Sequence, residues 1–348
     1  MSINIKNSFK FSEAYQIAMA DARNLLSKYF KILEEKEKSQ YLKCKHIPVS
    51  FDTSESTKAL WKKHDVALNK RKLCNSEPKK SLLDLKIELA SRIFQQCCFC
   101  ERKCKVDRRK KSGNCGVRQS GIASEFLHLG EEAVLVPSYT VFFSGCTFHC
   151  VFCQNWDISQ FNSGMYFKPS TLANMIERRK SQEAKNVNWV GGDPTPNLPY
   201  ILQVLKECKI NIPQVWNSNM YCSTETMKIL NGIIDVYLTD FKYGNDECAK
   251  RLSKVDNYVK IVKRNHKISH ENGEMIIRHL VMPNHLDCCS KPIIKWIAEK
   301  LPNATVNIMA QYRPEYKAYK YKDISRPVLP EEVLQVKDYA DQLGIHEI

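Results

Sequence analysis

No run of 18 apolar residues occurs in this chain, so no segment is expected to cross a membrane as a helix. Its start, Met1-Ser2-Ile3-Asn4-Ile5-Lys6, lacks the apolar stretch and the cleavage site of a secretory leader, so the expected compartment is the reducing cytoplasm. There the 15 cysteines, an odd number, read as metal ligands or buried thiols and not as disulfides. There is no short-period repeat. No recognised RNA-binding motif accompanies the net charge of +15.

The 348 residues suffice for one large domain or two smaller ones, and 43% hydrophobic with 26% charged residues is ordinary for a globular protein. The charge is unevenly placed. Residues 1–128 hold 27 Lys and Arg against 14 Asp and Glu, a balance of +13; residues 129–348 hold 26 against 24, a balance of +2. The basic first third suits an acidic macromolecular partner such as RNA or an acidic protein, and a solvated basic surface is the plainer explanation.

Along the chain, an apolar stripe at three- and four-residue spacing (Tyr15, Ala18, Met19, Ala22, Leu25, Leu26, Tyr29, Ile32, Leu33) predicts a helix over residues 11–36, with Ser12 as N-cap. Residues 37–80 are polar and lysine-rich and read as a poorly defined connection, with a short helix near Thr57 to Lys70. Ser81 to Gln95 is helical again. Cys97, Cys100, Cys104 and Cys115 follow at C-x2-C-x3-C-x10-C in a basic stretch that cannot build a core, so they form a candidate second metal site. Zinc and an auxiliary iron–sulfur cluster are both admissible there. Cys98 is spare.

From residue 129, strand and helix signals alternate. Candidate strands are 133–143, 187–190, 214–217, 235–240, 274–282 and 305–311; helices are expected at 170–183, 197–209, 223–232, 246–268, 289–301 and 330–343. The alternation predicts an α/β fold with a parallel sheet, and in a parallel barrel the site lies at the C-terminal ends of the strands. Here every such end is polar or special. The first leads into a cysteine loop, the second into Gly191-Gly192-Asp193-Pro194-Thr195, and the third ends at Asn217-Ser218-Asn219. The fourth ends at Asp240-Phe241-Lys242, the fifth holds Arg278-His279 and then His285, and the sixth ends at Gln311-Tyr312-Arg313.

The loop Cys146-Thr147-Phe148-His149-Cys150-Val151-Phe152-Cys153 follows a strand that stops at Ser144-Gly145. A structural zinc wants four protein ligands, and no fourth Cys or His sits at the usual offset. Three thiolates at C-x3-C-x2-C suit a cubane cluster better, and leave one iron open to chelate a substrate. Three incidentally clustered thiols would leave the polar strand ends unexplained.

The C-x3-C-x2-C loop with Phe152 before its last cysteine resembles the radical S-adenosylmethionine (SAM) superfamily. With the cysteine arm, Cys153-Gln154-Asn155, Gly191-Gly192-Asp193-Pro194-Thr195 and Asn217-Ser218-Asn219-Met220-Tyr221, it resembles an uncharacterised branch of the pyruvate formate-lyase activating-enzyme relatives over residues 81–348. The resemblance implies a [4Fe-4S] cluster on Cys146, Cys150 and Cys153. Its open iron would take the amino and carboxylate groups of SAM. One electron passed to the sulfonium would release methionine and a 5′-deoxyadenosyl radical for hydrogen abstraction. It also implies SAM contacts from Phe152, Gly191, Gly192, Asp193, Asn217 and Ser218, an Asp-x-Lys of activase type at Asp240 and Lys242, and a site arginine, Arg278, for the SAM carboxylate. His149 reads as a packing residue of the loop; Cys222, Cys288 and Cys289 read as small buried hydrophobes. The cysteine arm precedes the barrel and does not follow the radical loop, in which the chain departs from characterised activases; residues 1–80 match nothing in them.

The expected architecture is a partial (β/α)6 TIM-like barrel over 129–325, preceded by a basic helical extension (1–95) and a Cys-rich arm (96–128), and followed by a C-terminal helix (326–348). The substrate is expected to be a glycyl-radical enzyme, another protein or RNA, with flavodoxin or ferredoxin as electron donor and no membrane partner. The rival expectation is a zinc-stabilised nucleic-acid-binding or scaffold protein that uses the 97–115 arm as its module.

Overall fold

The computed structural model describes residues 23–161 and 163–348. Much of the helix expected over 11–36 lies outside the described residues; its last part is α1, Ser27–Leu33. An eight-stranded sheet follows strictly in chain order. Strand β1 (Ile122–His128) pairs antiparallel with β2 (Ser138–Phe143), and every later neighbour is parallel: β3 (Asn186–Gly191), β4 (Gln214–Ser218), β5 (Val236–Asp240), β6 (Glu274–Leu280), β7 (Thr305–Met309) and the two-residue β8 (His346–Glu347). β1 and β8 stand at the two edges, so the barrel is partial. The six expected strands are β2–β7. β2 starts later than expected, after Pro137, which has no N–H to give a ladder. The last seven residues of the expected cysteine arm form β1.

Strand alternation sorts the interior from the outside. Val215, Val236, Leu238 and Ile276 form an inner core with Val134 and Leu135 of the β1–β2 loop and with Leu26, Tyr29 and Phe30 around α1. The helix thus plugs the N-terminal mouth of the barrel. Glu274, at the start of β6, accepts the Lys28 and Tyr29 amides at 2.7 and 2.8 Å, supplying acceptors that a helix N-terminus otherwise lacks. The outward-facing Trp189, Tyr237 and Ile277 pack in a second core with the surrounding helices.

The extension is no loose connection, which corrects the expectation for residues 37–80. Helices α2 (Gln40–Lys45) and α3 (Thr57–Lys70) bury Tyr41, Cys44, Leu60 and Leu68 in the core shared with the barrel. Sparse apolar residues hid this, because polar ones are packed too. Lys86 is fully buried on α4 (Leu82–Gln95); its ammonium reaches His64 Nε2 at 2.9 Å and the Ile229 and Asn231 carbonyls at 2.9 and 2.8 Å. Those carbonyls end α6 (Thr224–Leu230). Ser81 and Asp84 cap α4 reciprocally. Its leucines Leu82, Leu83, Leu85 and Leu89 are all buried, at about 2 kcal/mol each.

After β3 comes α5 (Leu198–Glu207), against which α4 packs. The single helix expected over 246–268 is two, α7 (Asp246–Ser253) and α8 (Tyr258–Asn272). Lys254 and Asn257 between them take left-handed backbone, and the Asp246 carboxylate accepts the Val259 amide at 2.8 Å. A π-turn, Leu286–Ser290, precedes α9 (Lys291–Lys300). The C-terminal helix, Pro330–Gln342, matches its expected bounds to within a residue. No helix among the described residues is long and apolar enough to cross a membrane.

Candidate active site

A cavity of about 470 Å³ opens at the C-terminal ends of β2–β7, in the size range of small-molecule sites. Its wall includes Cys146, Cys150, Phe152, Cys153, Gly191, Gly192, Asn217, Ser218, Asp240, Lys242 and Arg278. Of the residues expected to hold the catalytic cluster and SAM, only Asp193 is missing from it.

The three cysteines reach the cavity from the loop after β2. All are free thiols. Burial pushes each thiol up in pKa, Cys150 to about 12, so without a metal they are neutral. A bound metal ion reverses that preference by stabilising thiolates. Each sulfur has a polar neighbour suited to a thiolate: the Phe148 amide and Asn219 Nδ2 at Cys146 (3.3 and 3.7 Å), Ser253 Oγ at Cys150 (2.9 Å), and Ser159 Oγ at Cys153 (3.2 Å). Phe152 packs between Tyr243 and Tyr312.

The glycine pair has a sharper reason than room for a ligand. A Cβ on Gly191, whose φ is +116°, would stand 2.1 Å from the Phe143 carbonyl oxygen; one on Gly192 would stand 2.2 Å from that of Gly145. The Gly192 and Asp193 amides donate to those same two oxygens at 2.8 and 3.1 Å. The turn after β3 is therefore fused to the base of the cysteine loop.

Asp193 points into this wall. Its carboxylate accepts from the Thr195 amide (2.9 Å), Ser218 Oγ (3.0 Å) and the Asn219 amide (3.1 Å). It joins the ends of β3 and β4 and positions Ser218 and Asn219, and it is not among the residues lining the cavity, where the resemblance implied a SAM contact. Arg278 is also engaged. It forms a bidentate pair with Glu132 (2.7 Å for both bonds) and a further pair with Glu131. Asn307 donates to Glu132 at 2.9 Å and Asn188 to Glu131 at 3.0 Å. Arg278 thus faces the cavity while already engaged with two carboxylates. Burial alone would lower its pKa; the two glutamates outweigh that and raise it. Asp240, the register partner of Arg278 on the neighbouring strand β5, forms an ion pair with Lys242.

Glu131 and Glu132 carry no sequence signal. They lie in the β1–β2 loop, which enters the barrel from its N-terminal mouth. Of the other strand-end residues, Gln311 lines the cavity, whereas His279 bonds the Phe241 carbonyl and Ser290 Oγ (both 2.8 Å) behind the sheet. Tyr312 donates to the Ile324 carbonyl, and Arg313 pairs with Glu315. His149 does more than pack: its ring bridges Gln160 and Asn114, both at 2.8 Å. Asn114 belongs to the cysteine arm, which also sends Arg102 Nε to the Thr147 carbonyl at 2.7 Å. Buried Arg108 ties the arm to the carbonyls of Val117 (2.8 Å) and Pro196 (2.7 Å). The arm thus braces the cysteine loop from outside.

Comparison with known proteins agrees with this geometry. The radical SAM superfamily matches residues 140–297. An uncharacterized protein of Methanocaldococcus jannaschii is 47% identical over 333 residues, 92% of this chain and 98% of that one. The pyruvate formate-lyase-activating enzyme of Staphylococcus epidermidis is 26% identical over 163 residues, 43% of this chain and 63% of the enzyme. Among solved structures, Streptococcus suis SuiB bound to S-adenosylmethionine aligns at 15% identity and a TM-score of 0.45, over 58% of this chain and 47% of SuiB; the chain spans about half of SuiB's length. The chain belongs to the radical SAM superfamily, whose members are enzymes that use a [4Fe-4S] cluster and SAM. It is homologous to pyruvate formate-lyase activating enzyme. The residues fit both groups: three free thiols, two of them buried, share one cavity with Gly191, Gly192, Asn217 and Ser218.

Proposed function

We propose that this chain cleaves SAM reductively and abstracts hydrogen from a macromolecular substrate, as glycyl-radical enzyme activases do. The cofactors would supply a 5′-deoxyadenosyl radical from SAM. The chain's own part is to hold, orient and seal. Cys146, Cys150 and Cys153 are the cluster ligands. Gly191 and Gly192 let backbone approach the methionine end of SAM, while Asn217 and Ser218 offer polar contacts from the end of β4. The Asp240–Lys242 pair presents fixed charge to the cavity without adding net charge, while Arg278 with Glu131 and Glu132 leaves one carboxylate charge unbalanced within that group. Phe152 and its aromatic neighbours keep water from the loop.

The observation that carries this reading is that the three sulfurs and the polar ends of five strands share one cavity. Anaerobic reconstitution is expected to give an iron-dependent visible band and reductant-dependent 5′-deoxyadenosine. A fully reconstituted wild type that produces none overturns the proposal.

The macromolecular substrate is supported by exposed aromatic residues beside the cavity-lining residues Gln154 and Asn155. Trp156 stacks on Tyr316 (5.5 Å, 10° between planes), Phe161 packs at the edge of Trp156, and Lys317 lies over the Tyr316 ring. Such a platform serves a protein segment or an RNA base equally. A flavodoxin or ferredoxin donor and a cytoplasmic location complete the reading. Cys97, Cys100, Cys104 and Cys115 are read as holding an iron–sulfur cluster in preference to zinc. Among the described residues, no three of their sulfurs lie within 4.8 Å of one another, as ligands of a single ion would.

A further inference from the structure

The catalytic reading leaves one cluster of ligand side chains unused. Cys248 lies in the first turn of α7, after β5; His285, Cys288 and Cys289 lie at the turn after β6. Their ligand atoms all fall within 4.8 Å of one another, the one such group of three or more His, Cys, Asp or Glu among the described residues. We propose that Cys248, His285, Cys288 and Cys289 form a four-coordinate zinc site.

The distances carry the assignment. A tetrahedron with Zn–S of about 2.3 Å and Zn–N of about 2.0–2.1 Å has S···S edges of about 3.8 Å and S···N edges of about 3.6 Å. The Cys288 and Cys289 sulfurs are 3.8 Å apart. His285 Nδ1 is 3.6 Å from Cys248 Sγ, 3.4 Å from Cys288 Sγ and 3.7 Å from Cys289 Sγ. Four ligands on one point suit a single ion. They are too close for a cubane, whose ligand sulfurs sit on separate irons. Three thiolates with one imidazole in a tetrahedron are a zinc donor set, and four protein ligands make the site structural.

The surroundings support it. His285 Nε2 donates to Asp323 Oδ2 at 2.9 Å, which turns Nδ1 to the sulfurs in the carboxylate–histidine arrangement of metal sites. Arg251 Nη1 holds Asp323 Oδ1 at 3.0 Å. Asn245 Nδ2 reaches Cys289 Sγ at 3.9 Å and the Cys288 carbonyl at 2.9 Å. A Cβ on Gly244 would stand 2.6 Å from that carbonyl, so the strand ends close tightly here. Cys288 is exposed and gives the ion a way in. The consequence is positional. The ion would fasten the start of α7 to the β6–α9 turn. The end of α7 carries the cysteine loop: the Leu252 and Ser253 carbonyls accept the Val151 and His149 amides at 2.9 and 3.0 Å.

The test is metal analysis of the full-length protein, reconstituted anaerobically with zinc and iron, beside its Cys288→Ser and His285→Gln variants. Each variant is expected to hold one zinc per chain fewer than the wild type, with iron unchanged. Equal zinc in wild type and variants overturns the site, as does loss of iron in place of zinc. Cys288 is exposed, so its serine variant keeps the test valid if His285→Gln does not fold. Cobalt titration gives a second readout: the visible bands of tetrahedral, sulfur-ligated cobalt should weaken by one equivalent in Cys288→Ser, and identical spectra overturn the site. Formation of 5′-deoxyadenosine is scored separately, so failure of the zinc site and failure of the enzymatic reading stay distinct.

Discussion

Two cysteine regions of this chain are built in opposite ways. The loop proposed to hold the cluster packs three cysteines into eight consecutive residues, yet their sulfurs, all on the cavity wall, do not all lie within 4.8 Å of one another. The second region takes ligands from two segments 37 residues apart and brings them onto one point. The loop's spread suits a cofactor larger than an ion, with space beside it for a substrate. The second region's convergence leaves no space for one. Sulfur separation in the fold, more than cysteine spacing in sequence, distinguishes a cluster from a single ion.

The largest effect that sharpens this contrast is loss of the cluster itself. Cys146→Ala is expected to abolish SAM cleavage and to lower reconstituted iron, measured as the visible band and as iron per chain. The same variant should keep the zinc of the second region. Loss of both metals together would show that the two regions do not act independently.

Next is Gly192→Ala. Its Cβ would meet the Gly145 carbonyl oxygen at 2.2 Å, and neither atom belongs to a flexible side chain. The cost should reach at least the roughly 3 kcal/mol of severe overpacking. Cluster loading and the melting temperature should both fall, while Cys288-dependent zinc stays. Normal loading in Gly192→Ala would mean that the turn and the loop are not fused as the backbone bonds indicate.

How much of this was legible follows the same divide. Strands β2–β7 and the cysteine loop announce themselves because ligands and apolar runs are contiguous. The convergence of Cys248 with His285 is not contiguous; it depends on β5 and β6 lying side by side, which spacing alone does not show. Arg278 was legible as a site residue, but its partners were not, because Glu131 and Glu132 approach through the opposite mouth of the barrel. Asp193 was legible by its glycines, yet its three internal donors turn it into the wall. β1 was hidden because Glu125 and His128 interrupt its apolar pattern beside a cysteine-rich stretch. In residues 37–80 the packing is done partly by Lys45 and His64, which patterning counts as solvated.

Acid should separate the regions further. Two histidines are buried, His266 on α8 and His279 on β6, and burial lowers the pKa of each to about 4. The unfolded chain binds these protons near pH 6.5 while the folded one does not, so stability is present above that pH and is lost as pH falls toward 4. The loss is at most roughly 3 kcal/mol per histidine. Melting temperature followed from pH 7 to pH 4.5 should fall, and His266→Gln should flatten the slope. An unchanged slope would remove His266 from the account.

The smallest expected effect lies where the two regions meet. Ser253 Oγ contacts both Cys150 Sγ (2.9 Å) and Tyr243 Oη (2.6 Å). A thiolate can only accept, so with a metal bound to Cys150 the order is fixed: Tyr243 donates to Ser253, and Ser253 donates to the sulfur. Hydrogen bonds to ligand sulfurs stabilise the reduced state and raise the potential. Removing one of about 1 kcal/mol should lower a one-electron potential by roughly 40 mV. Ser253→Ala is therefore expected to show that shift in a redox titration followed by electron paramagnetic resonance, with iron content unchanged. Cys288→Ser should move the potential the same way by less, because it acts on Ser253 only through the fastening of α7. A shift in Cys288→Ser larger than that in Ser253→Ala would break this order and place the coupling between the regions outside the helix.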